Sequence, residues 1–218
     1  MGPDFWISRW NENKIGFHQQ HVNEYLQQYA GELGLRGDDT VFVPLCGKSL
    51  DMLWLAGQGY RVLGVEVSRL AVEAFFEENR LEVTTETDGA FTRYRSGAIE
   101  ILCGDFFDLR KSHLADVRAV YDRAALIALP EPMRRRYAGI MASLPHPTNI
   151  LLVSIEYSPE EMSGPPFSVT EEEIRALFDT CTITILEEQD VLDENERFRE
   201  RGLTWLVEKV YGMKRPAI

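Results

Sequence analysis

The sequence predicts an α/β protein built on a doubly wound, mostly parallel seven-stranded sheet with an antiparallel edge hairpin. Five short runs of buried-strand character alternate with stretches of helical periodicity, the signature of a parallel sheet wrapped by helices. Two further β-rich runs then follow one another with no helix between them, which asks for an antiparallel pair. At 218 residues, without a repeat, linker or low-complexity tract, the chain reads as a single domain over 1–218.

The elements follow in order. Residues 5–10 are aromatic and polar, and from His18 the residues Val22, Tyr25, Leu26, Tyr29, Ala30 and Leu33 keep the spacing of one helix face. Gly34 is the stop signal for that helix. Residues 1–35 therefore form an N-terminal segment and helix ahead of the sheet; laid over the strand ends as a helical lid, they would exclude water from whatever happens there. Strands are expected at 40–43 and 61–65, with helices at 49–56 and 70–79. A polar, Thr-rich stretch ends in the Ser96-Gly97 turn between 91–94 and 99–102, and reads as an inserted hairpin leading into the third main strand. Strand 119–121, helix 132–144 and the continuously apolar strand 149–155 come next. Thr170 and Glu173 form a capping box for the helix carrying Ile174, Leu177 and Phe178. The closing pair is read at 182–186 and 203–207, joined by an acidic loop rich in Asn and Arg.

Composition excludes several classes of function. Lys plus Arg is 23 against 35 for Asp plus Glu, a net charge of −12, which opposes a grip on nucleic-acid phosphates. No apolar run approaches the roughly 18 residues of a membrane span. Cys46, Cys103 and Cys181 are an odd number with no CxxC pair, which fits neither a disulfide framework nor a zinc knuckle and suits a reducing cytoplasm. The first residues carry neither a secretory signal nor the Ser or Thr at position 6 that myristoylation prefers.

Doubly wound sheets bind ligands beyond the carboxyl ends of their strands. After the first strand, Gly47-Lys48-Ser49 resembles the tail of a P-loop, but Phe42 stands where that motif needs glycine. GxGxxG fails as well, so a nicotinamide dehydrogenase is disfavoured. Glu66 ends the second strand 19 residues past Gly47, where a carboxylate either accepts ribose hydroxyls or is simply a solvated acid. Asp105, after the third strand, either meets an adenine edge or serves as a turn residue behind Gly104. Together these positions ask for an adenosine ligand without phosphates. S-adenosylmethionine meets that description, and its sulfonium favours nearby carboxylates. His18 and His21 lack a third metal ligand in sight, so no metal is expected, and Cys46 reads as a small buried residue rather than a nucleophile.

Segments 6–10, 16–19, 43–48, 64–68, 121–126 and 164–167 occur together and in order, and over them the chain resembles the thiopurine S-methyltransferases of the bacterial type. The resemblance implies a class I methyltransferase, Rossmann-like fold. By position it implies that Trp10, Leu45, Glu66, Asp105, Phe106 and Arg123 contact the methyl donor, with Glu66 on the ribose and Asp105 and Phe106 by the adenine. Trp10 and Arg123 would lie near the methionine end. Phe17 would face the substrate, and Pro166 and Phe167 would shape its pocket. The implied reaction is in-line methyl transfer from S-adenosylmethionine to the sulfur of a small aromatic or heterocyclic thiol such as a thiopurine. The resemblance also implies selenium and tellurium compounds as further acceptors, in a detoxification role. Asp122, or a water held by Arg123, is the expected proton acceptor. A cytoplasmic monomer without nucleic-acid or membrane partners completes the expectation. The competing readings are a small-molecule O- or N-methyltransferase and a non-catalytic nucleoside-binding protein of the same fold.

Overall fold

The computed structural model describes residues 2–216. Five strands form the parallel core: β1 (Thr40–Val43), β2 (Arg61–Glu66), β5 (Ile99–Cys103), β6 (Val117–Arg123) and β7 (Thr148–Glu156). β9 (Val207–Arg215) inserts antiparallel between β7 and the edge strand β8 (Thr182–Asp190). These seven strands are the expected frame, but β3 (Thr84–Asp88) and β4 (Phe91–Ser96) extend it antiparallel beyond β5. The sheet is thus nine-stranded, in the order β3-β4-β5-β2-β1-β6-β7-β9-β8, and the seven-strand count is corrected. β3 escaped notice because its Thr and Glu side chains are exposed, so it lacks the alternating apolar signal of a half-buried strand.

Each face of the sheet carries its own apolar cluster. On one, α5 (Glu131–Ala142) and α6 (Glu171–Leu177) cover Phe42, Val120, Leu152 and Tyr211. On the other, α2 (Glu24–Tyr29), α3 (Asp51–Gly57) and α4 (Arg69–Glu78) cover Val41, Tyr121, Val153 and Val210. α1 (Pro3–Asn11) precedes α2, and α7 (Glu196–Glu200) lies in the β8–β9 connection. Among the described residues no helix is long and apolar enough to cross a membrane.

Three boundaries differ from expectation for local reasons. The helix expected from His18 starts only at Glu24, where the Asn23 side chain accepts from Leu26 N–H and caps it. It tightens into a 3-10 turn at Ala30–Leu33 and ends at Gly34 with φ 61°, as the glycine foretold. The last strand runs over Val207–Arg215 rather than 203–207, and Leu203 and Leu206 are buried loop residues. Thr170 caps α6 through Glu173 N–H, but the Glu173 carboxylate turns away to Arg134, so only half of the capping box forms.

Candidate active site

The strand order turns back between β1 and β6, so the loops after these two strands meet at the switch point of the sheet. Leaving β1, the chain passes through Leu45 and Gly47 with φ of 46° and 52°. The Gly47 N–H donates to Glu66 Oε2 at 2.9 Å, and the Ser68 N–H donates to Oε1 at 2.7 Å. Glu66 is 5% exposed, and burial pushes its carboxyl up to about 7 although these donors pull it down. The Gly47 N–H is committed to the protein's own carboxylate and is not available to cradle a phosphate. The lone pairs that Glu66 has left suit the hydroxyls of a ribose. The residues present therefore fit a nucleoside without phosphates.

The N-terminal segment lies directly on this loop. A Cβ on Gly47 would sit 3.0 Å from Trp10 Cζ2. Phe17 packs edge-on against Trp10 and Trp6, with centroids 5.5 and 5.8 Å away. Arg123, at the end of β6, donates from Nη1 to the Phe17 carbonyl at 3.1 Å, and Arg197 of α7 donates to the neighbouring Gly16 carbonyl. Buried Asp51 accepts from Asn23 N–H at 2.8 Å and from the Tyr121 hydroxyl at 3.0 Å, tying the far end of the segment to α3 and β6. Trp10, Phe17, Arg123 and Glu66 thus gather around Gly47.

The other expected residues sit farther round. Leu45 packs against the α5-side cluster. Asp105 Oδ1 accepts from Phe107 N–H at 2.9 Å and caps a short 3-10 turn at the end of β5. The Phe106 ring is 2% exposed and stacks on Tyr137 with centroids 4.9 Å apart. It belongs to the core, and only its backbone stands at the strand end. Phe167 N–H donates to the Ile127 carbonyl at 2.7 Å, and the Tyr157 hydroxyl donates to the Pro166 carbonyl. Pro166 and Phe167 are therefore fixed beside the loop after β6.

Asp122 is turned the wrong way for its expected role. It is 1% exposed, accepts at Oδ2 from the Tyr137 hydroxyl at 2.6 Å, and accepts at Oδ1 from the Ala125 and Leu126 N–H groups at 3.2 Å each. Side chains alternate along a strand, so with Arg123 facing the N-terminal segment Asp122 faces α5. It braces the turn after β6 and is not presented to an acceptor. Cys46 is buried beside Gly64, and burial holds its thiol well above the usual range, far from a thiolate.

Sequence reasoning missed Arg197, Tyr25 and Glu208. Arg197 lay in a loop read only as a connection, and Tyr25 was counted as one more position on a helix face. Glu208, next after the first residue of β9, lies beside Ile155 of β7 at the carboxyl edge, because β9 runs antiparallel. A corrected strand boundary was the one signal that could have placed it.

A buried carboxylate at the tip of β2, a loop without a phosphate cradle and an aromatic segment across the switch point fit the class I methyltransferase fold. Solved structures agree on the fold. A methyltransferase from Methanosarcina mazei superposes with a TM-score of 0.61 at 16% identity, covering 90% of this chain and 99% of its own. Phosphoethanolamine N-methyltransferase 2 of Haemonchus contortus, solved with S-adenosyl-L-methionine, gives 0.61 at 8% identity over 87% of this chain and 52% of its own. The chain belongs to the thiopurine S-methyltransferase family, whose model matches residues 1–216. The thiopurine S-methyltransferase of Azotobacter vinelandii is 51% identical over 217 residues, 99% of this chain and 100% of the relative. That of Pseudomonas putida strain KT2440 is 50% identical over 216 residues, again 99% and 100%. The protein is a methyltransferase enzyme, and its methyl donor is S-adenosylmethionine.

Proposed function

We propose that this enzyme methylates the sulfur of small aromatic or heterocyclic thiols, thiopurines among them, and that selenium and tellurium compounds share the site in a detoxifying role. The observation that carries the reading is the aromatic wall of Trp6, Trp10 and Phe17 set against the Gly47 loop. A flat apolar acceptor packed on that wall lies next to the nucleoside site. S-adenosylmethionine supplies an already activated methyl group, so the protein's task is chiefly positioning.

Glu66 holds the ribose, Asp105 and the Phe106 backbone border the adenine, and Leu45 lines the donor site. Trp10 and the nitrogens of Arg123 not given to Phe17 receive the methionine end. Phe17, Pro166 and Phe167 shape the acceptor pocket. Residues 1–35 act as a lid, fastened at Gly16 and Phe17 by Arg197 and Arg123, that keeps water from the reacting centre. The enzyme works as a one-domain cytoplasmic monomer without nucleic-acid or membrane partners, consistent with its net charge of −12.

The test is transfer of label from methyl-labelled S-adenosylmethionine to a panel of thiopurines, thiophenols, phenols, amines and selenite, with Glu66→Ala as control. Label on sulfur, lost in the control, is expected. Label only on oxygen or nitrogen, or donor binding without any transfer, would overturn the thiol reading.

A further inference from the structure

Transfer to a neutral thiol requires that the S–H proton leave, and Asp122, turned into the core, is not placed to take it. Two other carboxylates near the switch point are also committed. Both oxygens of Glu66 accept backbone N–H groups on the donor side, and Asp51 is held by Asn23 and Tyr121. Glu208 differs. Arg123 of β6 pairs with Val153 of β7, and Val153 pairs with Val210 of β9. Glu208, two residues before Val210, therefore points to the same face as Arg123, one step nearer the carboxyl edge. Its strand neighbour Lys209 is paired with Glu156 and Glu188, whereas Glu208 has no ion-pair partner among the described residues.

We propose that Glu208 is the catalytic proton acceptor, taking the S–H proton of the acceptor thiol beneath the N-terminal segment. The proposal rests on the thiol reading above. In the step, the S–H bond breaks and its proton passes to the Glu208 carboxylate. The sulfur pair forms the new C–S bond while the donor's methyl–sulfur bond breaks, its electron pair neutralising the sulfonium. Thioether and S-adenosylhomocysteine leave, and the proton is released to solvent.

The surroundings suit the task. Burial pushes the Glu208 carboxyl upward, closer to a thiol, while Arg123 and the Tyr25 hydroxyl of α2 draw it down and Glu194, ahead of α7, raises it. His18 is the rival base. It is half-buried, with its pKa lowered by burial and by Lys48, and it stands by the Lys48–Glu78 pair on the α4 side.

The experiment compares Glu208→Gln with wild type on two acceptors of similar size, a nitrothiophenol ionised at the assay pH and benzyl mercaptan, which is not. The variant is expected to lose about 10²-fold or more in kcat/KM on the un-ionised thiol and less than about threefold on the ionised one. A second readout is acceptor affinity for the S-adenosylhomocysteine complex, followed by tryptophan fluorescence. In wild type it weakens as pH falls through the Glu208 range, and in the variant that acid limb is absent. Should Glu208→Gln fail to fold, Tyr25→Phe serves instead. Removing a donor that draws the carboxyl down must move the acid limb to higher pH. Equal losses on both thiols, no loss, an unmoved acid limb, or the selective loss appearing in His18→Gln would each overturn the assignment. Failure of wild type to methylate any thiol would instead overturn the thiol reading itself.

Discussion

Glu66 combines two demands that conflict when the donor is absent. Its carboxyl, raised from 4.5 to about 7 by burial, holds a proton in the folded state at a pH where the unfolded chain has lost it. The folded form therefore gains stability that is complete below the unfolded value and fades as pH rises from about 4.5 through about 7. The swing is on the order of 3 kcal/mol. Ribose hydroxyls donate to the ionised carboxylate, so donor affinity runs the other way. It should rise nearly tenfold per pH unit up to about 7 and then level off. In Glu66→Gln both dependences flatten, and affinity at pH 8 drops about 10- to 100-fold, since a hydrogen bond to a charged group is worth about 1.5–3 kcal/mol. Calorimetric titration of donor binding across pH, beside melting curves of both proteins, checks this; a variant that keeps the wild-type slope would remove Glu66 from the ribose. Glu66 was legible because a strand tip and a spacing of 19 residues from Gly47 suffice to place it. Asp122 misled because a strand end shows which residues reach the carboxyl edge but not which face each one takes. Its neighbour Arg123 took the open face, leaving Asp122 to the Tyr137 hydroxyl. The Phe106 ring likewise turns inward onto Tyr137, so only its backbone is left at the strand end.

At the level of elements, the parallel core was legible and its margins were not. Strands buried on both faces, such as β1 and β7, announce themselves as apolar runs whatever their neighbours. β3 is held by its pairing with β4 along an exposed margin, and β9 begins after the apolar run that was taken for it. β3 turns straight back into β4, with Asp88 opposite Phe91, and lacks only the apolar signal, whereas β9 depends on β7, a partner distant in sequence. The same holds for the hold on residues 12–22, which rests on arginines from β6 and α7 donating to the adjacent carbonyls of Phe17 and Gly16. Backbone carbonyls have no sequence signature, so this fastening could only be seen in three dimensions. Arg197→Ala removes one of its two hydrogen bonds and leaves the sheet untouched. The segment should loosen, with faster limited proteolysis within 12–22 and an acceptor KM raised about 10-fold, the order expected when a hydrogen bond from a charged donor is lost. The melting temperature should stay close to wild type. If proteolysis and KM are both unchanged, the contact does not fasten the segment.

For the molecule as a whole, the net charge of −12 acts differently on the two forms of the nucleoside. S-adenosylmethionine carries a sulfonium and an ammonium against one carboxylate, a net positive charge, whereas S-adenosylhomocysteine has lost the sulfonium and is neutral overall. An acidic protein attracts the first from a distance and not the second. Raising ionic strength from about 0.01 M to about 0.1 M shortens the screening length from about 30 Å to about 10 Å, so long-range attraction is cut while contacts inside a closed site are little altered. Donor association should slow several-fold over that range, and product association should hardly change. The affinity ratio of donor to product therefore falls as salt is added. Buried Glu66, 5% exposed, contributes a salt-insensitive share, so Glu66→Gln should lower donor affinity at every salt concentration without changing the slope. Stopped-flow tryptophan fluorescence with both nucleosides measures these rates directly. A donor rate as flat as the product rate would mean that the acidic surface plays no part in capture and that the site's own geometry does all the selecting.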